Sequence, residues 1–185
     1  GAWGNVSNPY KVNSNNREEL YGKLQLYKES SKASVTSGNA NYSYSGAVYT
    51  LYDSTGKAVG TATTNSSGYG MFVNSSDKSN NFKKGTYTVK ETKAPKGFIL
   101  DTRTYTTSVT PNKTTTVTYN GSNLKETPIE VFIDISKVST NLDATKGNPN
   151  YTYNGAKYGV YKNSSCTSLV DTIAVDSNGK GTSKS

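Results

Sequence analysis

Two residues in this sequence stand where strand alternation would carry a reactive group inward beside apolar neighbours. Lys28 follows Leu24 and Leu26 at two-residue spacing, and Glu91 follows Tyr87 and Val89 in the same way. Residues two apart on a strand share a face, so each charged group is aimed at the side its apolar partners bury. Burying an ammonium and a carboxylate as separate ions is costly, and lying close together in a dry setting they would be left neutral. A neutral lysine is a nucleophile and a protonated glutamate is a proton donor. Lys137 follows Ile133 and Ile135 and repeats the first half of the pattern. The ordinary alternatives are a strand-end lysine that reaches out to water and a glutamate solvated near a turn.

Composition narrows the remaining chemistry. The 185 residues contain no His and one Cys, Cys166. Histidine triads, His-ligated metals and Cys-rich zinc sites are thereby removed, and no intrachain disulfide can form. The turns Asp53-Ser54-Thr55-Gly56 and Asp176-Ser177-Asn178-Gly179 lack the further acidic ligands of a calcium loop. No metal or other cofactor is expected, and a turnover enzyme is disfavoured. The net charge of +8 would suit an anionic partner, but the lysines are scattered singly among Ser, Thr and Asn apart from Lys83-Lys84. No basic stripe for nucleic acid results. No run approaches the ~20 apolar residues that span a bilayer, so no membrane contact by this segment is expected.

The elements that must position these residues emerge from an internal repeat. Leu24 to Lys28 reads LQLYK and Ile133 to Lys137 reads IDISK, with the lysines 109 positions apart. Asn41 to Tyr52, NYSYSGAVYTLY, and Asn150 to Tyr161, NYTYNGAKYGVY, share that offset, while the Gly68 and Gly179 turns are 111 apart. The spacing divides the chain into a linker or module end at 1–21, a first copy at 22–128 and a partial second copy at 129–185. The second copy stops before any counterpart of Tyr87 to Phe98, so it reads as a truncated module.

Within the first copy the apolar period is two almost throughout, the mark of strands with one buried face. Strands are expected around Leu24–Lys28, Val48–Tyr52, Tyr69–Val73, Tyr87–Glu91, Tyr105–Val109 and Thr114–Tyr119. A hairpin turn is expected at Asp53–Gly56 and a second turn at Asn65–Gly68. Short strands with frequent turns predict an all-β sandwich, and no helix is expected. With 32% hydrophobic residues but 11% aromatic, tyrosines must supply much of its core.

Three segments resemble the Cna protein B-type (CnaB, SpaA-like) repeats of Gram-positive surface adhesins and sortase-assembled pilins. They are GKLQLYK, YSGAVYTLYDSTGKAVGTATTNSSGYGMF and KKGTYTVKETKAPKGFILDTRTYTTSVTPNKTTTV, together covering about Gly22 to Val117. The resemblance implies a Greek-key-like, seven-stranded β-sandwich that serves as a stalk module on the bacterial cell surface. It implies a spontaneous isopeptide bond, with Lys28 as nucleophile and Glu91 as assisting acid. Lys137 matches the nucleophile of the second copy, whose partners are absent. In the family the acceptor is Asn or Asp two residues before a Pro, but here Glu126 precedes Thr127-Pro128. Asn120 and Asn123 are the alternative acceptors. Asn123 shares phase with Val117 and Tyr119, whereas Asn120 needs a bulge at Gly121 but directly follows the strand expected to neighbour the first.

The leading functional reading is a structural spacer whose partners are neighbouring modules of the same surface protein or pilus, with host or glycan ligands met through other domains. Any amide formation would occur once per molecule and would not constitute enzyme turnover. The competing reading is a glycan- or wall-polymer-binding sandwich that uses exposed tyrosines, with Tyr42, Tyr44, Tyr151 and Tyr153 as candidates.

Overall fold

The computed structural model describes residues 20–184, so the expected linker at 1–21 lies almost wholly outside the described residues. The described residues divide into two compact units, with the boundary between Ile129 and Glu130.

In the first unit, β1 (Tyr21–Ser30) alternates without a break: Gly22, Leu24, Leu26, Lys28 and Ser30 are buried while Lys23, Tyr27 and the intervening residues are not. β1 is the spine of one sheet. On one edge it pairs antiparallel with β4 (Tyr69–Met71) and β6 (Phe82–Lys83). On the other it pairs parallel with β9 (Thr114–Val117) and then β10 (Leu124–Glu126). The facing sheet is antiparallel, in the order β5 (Val73–Asn74), β3 (Ala58–Thr63), β2 (Val48–Tyr52), β7 (Gly85–Lys93) and β8 (Thr104–Val109). Two five-stranded sheets with their apolar faces together make a sandwich. The ten strand pieces of this unit outnumber the expected seven for three local reasons, the first being that the two-residue β6 pairs with β1 in one sheet while β7, just after it, joins the other. Phe72 carries the chain from one sheet to the other between β4 and β5, and a tight turn at Tyr119–Ser122 splits the last edge into β9 and β10.

The core contains Leu24 and Leu26 from β1, Tyr49 and Leu51 from β2, Val89 from β7, Tyr105 from β8, and Phe72, Val117 and Leu124. Tyrosines supply bulk that a chain with few aliphatic residues lacks. The expected turns form at Asp53–Gly56, where Gly56 N–H donates to Asp53 O, and at Asn65–Gly68, where Gly68 N–H donates to Asn65 O. The expectation of no helix is corrected by two single turns, α1 (Ala33–Thr36) and α2 (Leu142–Thr145). Four residues carry no periodic signal long enough to read.

The second unit repeats the local plan. β11 (Asp134–Ser136) pairs with β14 (Lys180–Thr182), and β12 (Lys157–Tyr161) pairs with β13 (Leu169–Ala174). Lys137 N–H donates to Gly179 O at 2.7 Å, as Lys28 N–H donates to Gly68 O at 2.8 Å. Both glycines hold positive φ, 80° at Gly68 and 76° at Gly179. A Cβ on Gly68 would meet the Lys28 carbonyl oxygen at 2.3 Å. This turn therefore needs glycine both for its backbone and for the closeness of β1. Gly68→Ala is expected to lower unfolding free energy by about 1–3 kcal/mol, since a strained φ and a backbone clash add. A denaturant midpoint equal to that of the parent chain would contradict this reading of the turn.

Candidate functional site

Lys28 is 1% exposed, Glu91 4% and Glu126 0%, three ionisable groups in one apolar interior. Lys28 and Glu126 come from neighbouring parallel strands of one sheet, with Lys28 opposite Leu124 and Ser30 opposite Glu126. Glu91 and Tyr49 come from the facing sheet, where they are themselves cross-strand partners on β7 and β2. The sandwich thus presses two carboxyls and a phenol around one amine.

Lys28 Nζ lies 2.7 Å from Glu126 Oε1 and 3.6 Å from Glu91 Oε1. It donates to the Tyr49 hydroxyl and lies 4.7 Å from the centre of that ring. Glu91 Oε2 accepts the backbone N–H of Asp101 at 2.6 Å. Glu91 Oε1 and both Glu126 oxygens are buried with no hydrogen bond of ordinary geometry. Glu91 is thereby anchored through Oε2, while its Oε1 faces the Lys28 amine.

Two carboxylates and one ammonium would leave a net negative charge in a dry core, so the cluster favours one extra proton. Burial raises the Glu126 pKa to about 8, helped by the Glu91 carboxyl beside it and opposed by the Lys28 ammonium. Burial thus favours the carboxylic acid form of Glu126. The arrangement places an amine against a protonated carboxyl, with a second carboxyl within reach to take and return protons.

The expected acceptors lie elsewhere. Asn120 is exposed at φ 49° in the Tyr119–Ser122 turn. Asn123 is half-buried, and its side-chain amide donates to Glu29 Oε1 at 2.7 Å. The groups around Lys28 Nζ in the structure are Tyr49, Glu91 and Glu126 and neither asparagine. Extending the alternation from Val117 through Tyr119 put Asn123 inside, but the intervening turn resets the phase, so Leu124 and Glu126 are buried instead. The signal that could have found Glu126 was its place two residues before Pro128. Tyr49 was legible as an inward residue but not as the holder of the amine.

Lys137 is exposed and donates to the Tyr158 hydroxyl at 3.0 Å, which raises its pKa. It thus keeps the tyrosine contact of Lys28 without the burial. The loop tyrosines contribute to packing. Tyr44 stacks on Phe98 and its hydroxyl accepts Ser30 N–H, while the Tyr42 hydroxyl donates to Ile129 O. In the second unit the Tyr153 hydroxyl accepts Ser139 N–H, the counterpart of the Tyr44 bond. Tyr151 is 57% exposed. Among the described residues, no group of three or more Cys, Asp or Glu could hold a metal ion, and no helix is long and apolar enough to cross a membrane.

The sequence matches the SpaA prealbumin-like fold domain over residues 8–123. It is 37% identical over 82 residues to the trypsin-resistant surface T6 protein of Streptococcus pyogenes serotype M6; these cover 44% of this chain and 14% of that protein. Among solved structures, the Bacillus anthracis TIE protein aligns with a TM-score of 0.56 at 20% identity, over 88% of this chain and 26% of that one. The T6 backbone pilin of Streptococcus pyogenes aligns at 31% identity and a TM-score of 0.36, over 48% of this chain and 16% of that one. The chain therefore spans a minor part of the length of each relative.

The raised Glu126 pKa has a direct consequence in a chain that cannot react. In Lys28→Met the amine that holds Glu126 down is gone, so its folded pKa stays above the ordinary 4.5. The folded state then holds a proton that the unfolded state releases. The stability this contributes is complete below about pH 4.5 and is lost progressively as pH rises above it towards the raised folded pKa, by at most ~1.4 kcal/mol per pH unit for one proton. Denaturant titrations should show that decline, and adding Glu126→Gln should flatten it. A profile already flat in Lys28→Met would contradict the assignment.

Proposed function

The chain belongs to the SpaA prealbumin-like fold family, and from that premise we propose that it is a structural stalk segment of a Gram-positive cell-surface adhesin or pilus, tied internally by an amide between Lys28 and Glu126. The observation that carries the reading is the buried amine 2.7 Å from a buried carboxyl on the last strand of the same unit. The surface location and pilin character of the T6 relative support the setting. Neighbouring modules of the same polymer are the partners this reading assigns, and it places the segment outside the cell.

The reaction balances within the cluster. It starts from Lys28 as ammonium, Glu91 as carboxylate and Glu126 as carboxylic acid. Glu91 Oε1 takes one proton from Nζ, and the freed amine attacks the Glu126 carboxyl carbon. The C–O bond to the acid hydroxyl breaks, and this hydroxyl leaves as water with a second amine proton passed through Glu91. The products are one amide, one water and a neutral Glu91, with no change in net charge. Tyr49 holds the nitrogen in place. Fixing both groups in a closed core supplies effective concentrations of ~10⁵ M or more, and the dry surroundings favour neutral products over ions. Amide formation happens once and regenerates no catalyst, so the chain is not an enzyme in the turnover sense.

An amide here would link the first strand to the last. On the disulfide analogy, closing a loop of about 100 residues contributes ~4–5 kcal/mol. It also stops the strands from peeling apart under load, which suits a chain whose one cysteine permits no intrachain disulfide. In single-molecule pulling through the chain ends, residues between Lys28 and Glu126 are expected to add no length. Lys28→Met, checked for folding by circular dichroism, should release about 320–350 Å more, at ~3.3–3.6 Å per residue. Equal extensions for the two chains would count against the load-bearing tie.

A further inference from the structure

A second group of side chains lies beside the cluster and belongs to none of the steps above. Asp101, Arg103 and Tyr105 lie where the loop after β7 enters β8. Arg103 Nε donates to Asp101 Oδ1 at 2.9 Å and its Nη2 to Asp101 Oδ2 at 3.1 Å. The Tyr105 hydroxyl also donates to Asp101 Oδ2. Burial alone would raise the Asp101 pKa, but the bonds from Arg103 and Tyr105 outweigh it and hold Asp101 ionised. Asp101 is nearly closed from solvent, with a side chain 6% exposed, and Arg103 covers it at 41%.

The two ends of this group reach the two carboxyls. The Asp101 backbone N–H is the donor that anchors Glu91 Oε2. Arg103 Nη2 also donates to the Lys125 carbonyl at 3.0 Å, in the residue before Glu126. Its guanidinium lies 4.9 Å from the Tyr119 ring centre and 5.7 Å from that of Tyr105, which restricts its rotation. One planar, always charged group therefore connects the backbone that holds Glu91 to the strand that holds Glu126. A surface groove of about 350 Å³, lined by Ile99, Leu100, Thr102 and Thr127 among others, lies directly outside it.

We propose that Arg103 is a positioning residue: through Asp101 and the Lys125 carbonyl it fixes the separation of the Glu91 and Glu126 carboxyls and holds the loop closed over them. The role of the clamp in bond formation rests on the Lys28–Glu126 amide, whereas its hold on Glu91 does not. A bond-forming step requires reacting atoms near 3–3.5 Å and tolerates little misplacement, so loosening either carboxyl should slow it without removing any reacting group.

The test uses the full chain and two readouts. Amide exchange is followed by NMR in Lys28→Met with and without Arg103→Ala. Bond formation is followed by mass in freshly synthesised chain carrying Lys28, with and without Arg103→Ala. Arg103→Ala should accelerate exchange at Asp101 at least tenfold while Leu51 and Val89 stay protected, and should slow bond formation at least tenfold. Asp101→Asn, which keeps the backbone donor but weakens the grip of Arg103, should shift both in the same direction. Unchanged Asp101 exchange overturns the clamp. Exchange that rises equally in the core overturns it as well, because Arg103 would then be merely stabilising, as does local loosening with bond formation at the parental rate. Should the parent chain form no bond, the amide reading falls on that result alone, and the Asp101 exchange still decides whether the clamp exists.

Discussion

An amine cannot be buried in an apolar sandwich without company, and that constraint organises the first unit. The strict alternation of β1 carries Lys28 inward together with Leu24 and Leu26, where its side chain reaches no water. Two carboxyls and a phenol surround it, drawn from β10, β7 and β2. Because the carboxyls outnumber the amine, the core must retain a proton, and burial assigns it to Glu126. The protonation state that makes such a cluster tolerable is also the one from which an amide can form with loss of water.

The internal repeat provides a natural comparison. Ile133, the counterpart of Leu24, is 45% exposed where Leu24 is 0%. Lys137 keeps the backbone bond to its glycine turn and the contact to its tyrosine, yet it is exposed. The local motif thus sets the conformation of the strand and the direction of the lysine, while the burial of Lys28 comes from the strands packed over it. In the first unit those are β7 to β10. The described strands of the second unit correspond to the first half of the first unit only. The burial of Lys28 is therefore a property of the assembled sandwich more than of the lysine-bearing strand.

Much of the fold could be read from the period of two, because each strand has one face in the core and one outside. Leu24, Leu26 and Lys28, and likewise Tyr87, Val89 and Glu91, needed only their spacing to be placed inward. The partner of Lys28 was not legible in that way. Alternation is a local rule, and the Tyr119–Ser122 turn inverts it between Val117 and Leu124, so Asn123 faces Glu29 and Glu126 faces the core. A buried glutamate also looks like any surface glutamate in a sequence until its neighbours are known. The Arg103 contacts were still less accessible, since they join positions 22 residues apart through a backbone carbonyl that carries no sequence signature.

The most direct measurement is the intact mass of the denatured, reduced chain, compared with the mass calculated from its sequence and with those of Lys28→Met and Glu126→Gln. The account requires the parent chain to be lighter by one water, about 18 Da, and Lys28→Met to match its calculated mass. In Glu126→Gln a reaction through the new carboxamide would instead lose one ammonia, about 17 Da. A parent mass equal to the calculated value would show that the amine and carboxyl remain an unreacted pair. A parent deficit of one ammonia would move the acceptor from Glu126 to an asparagine.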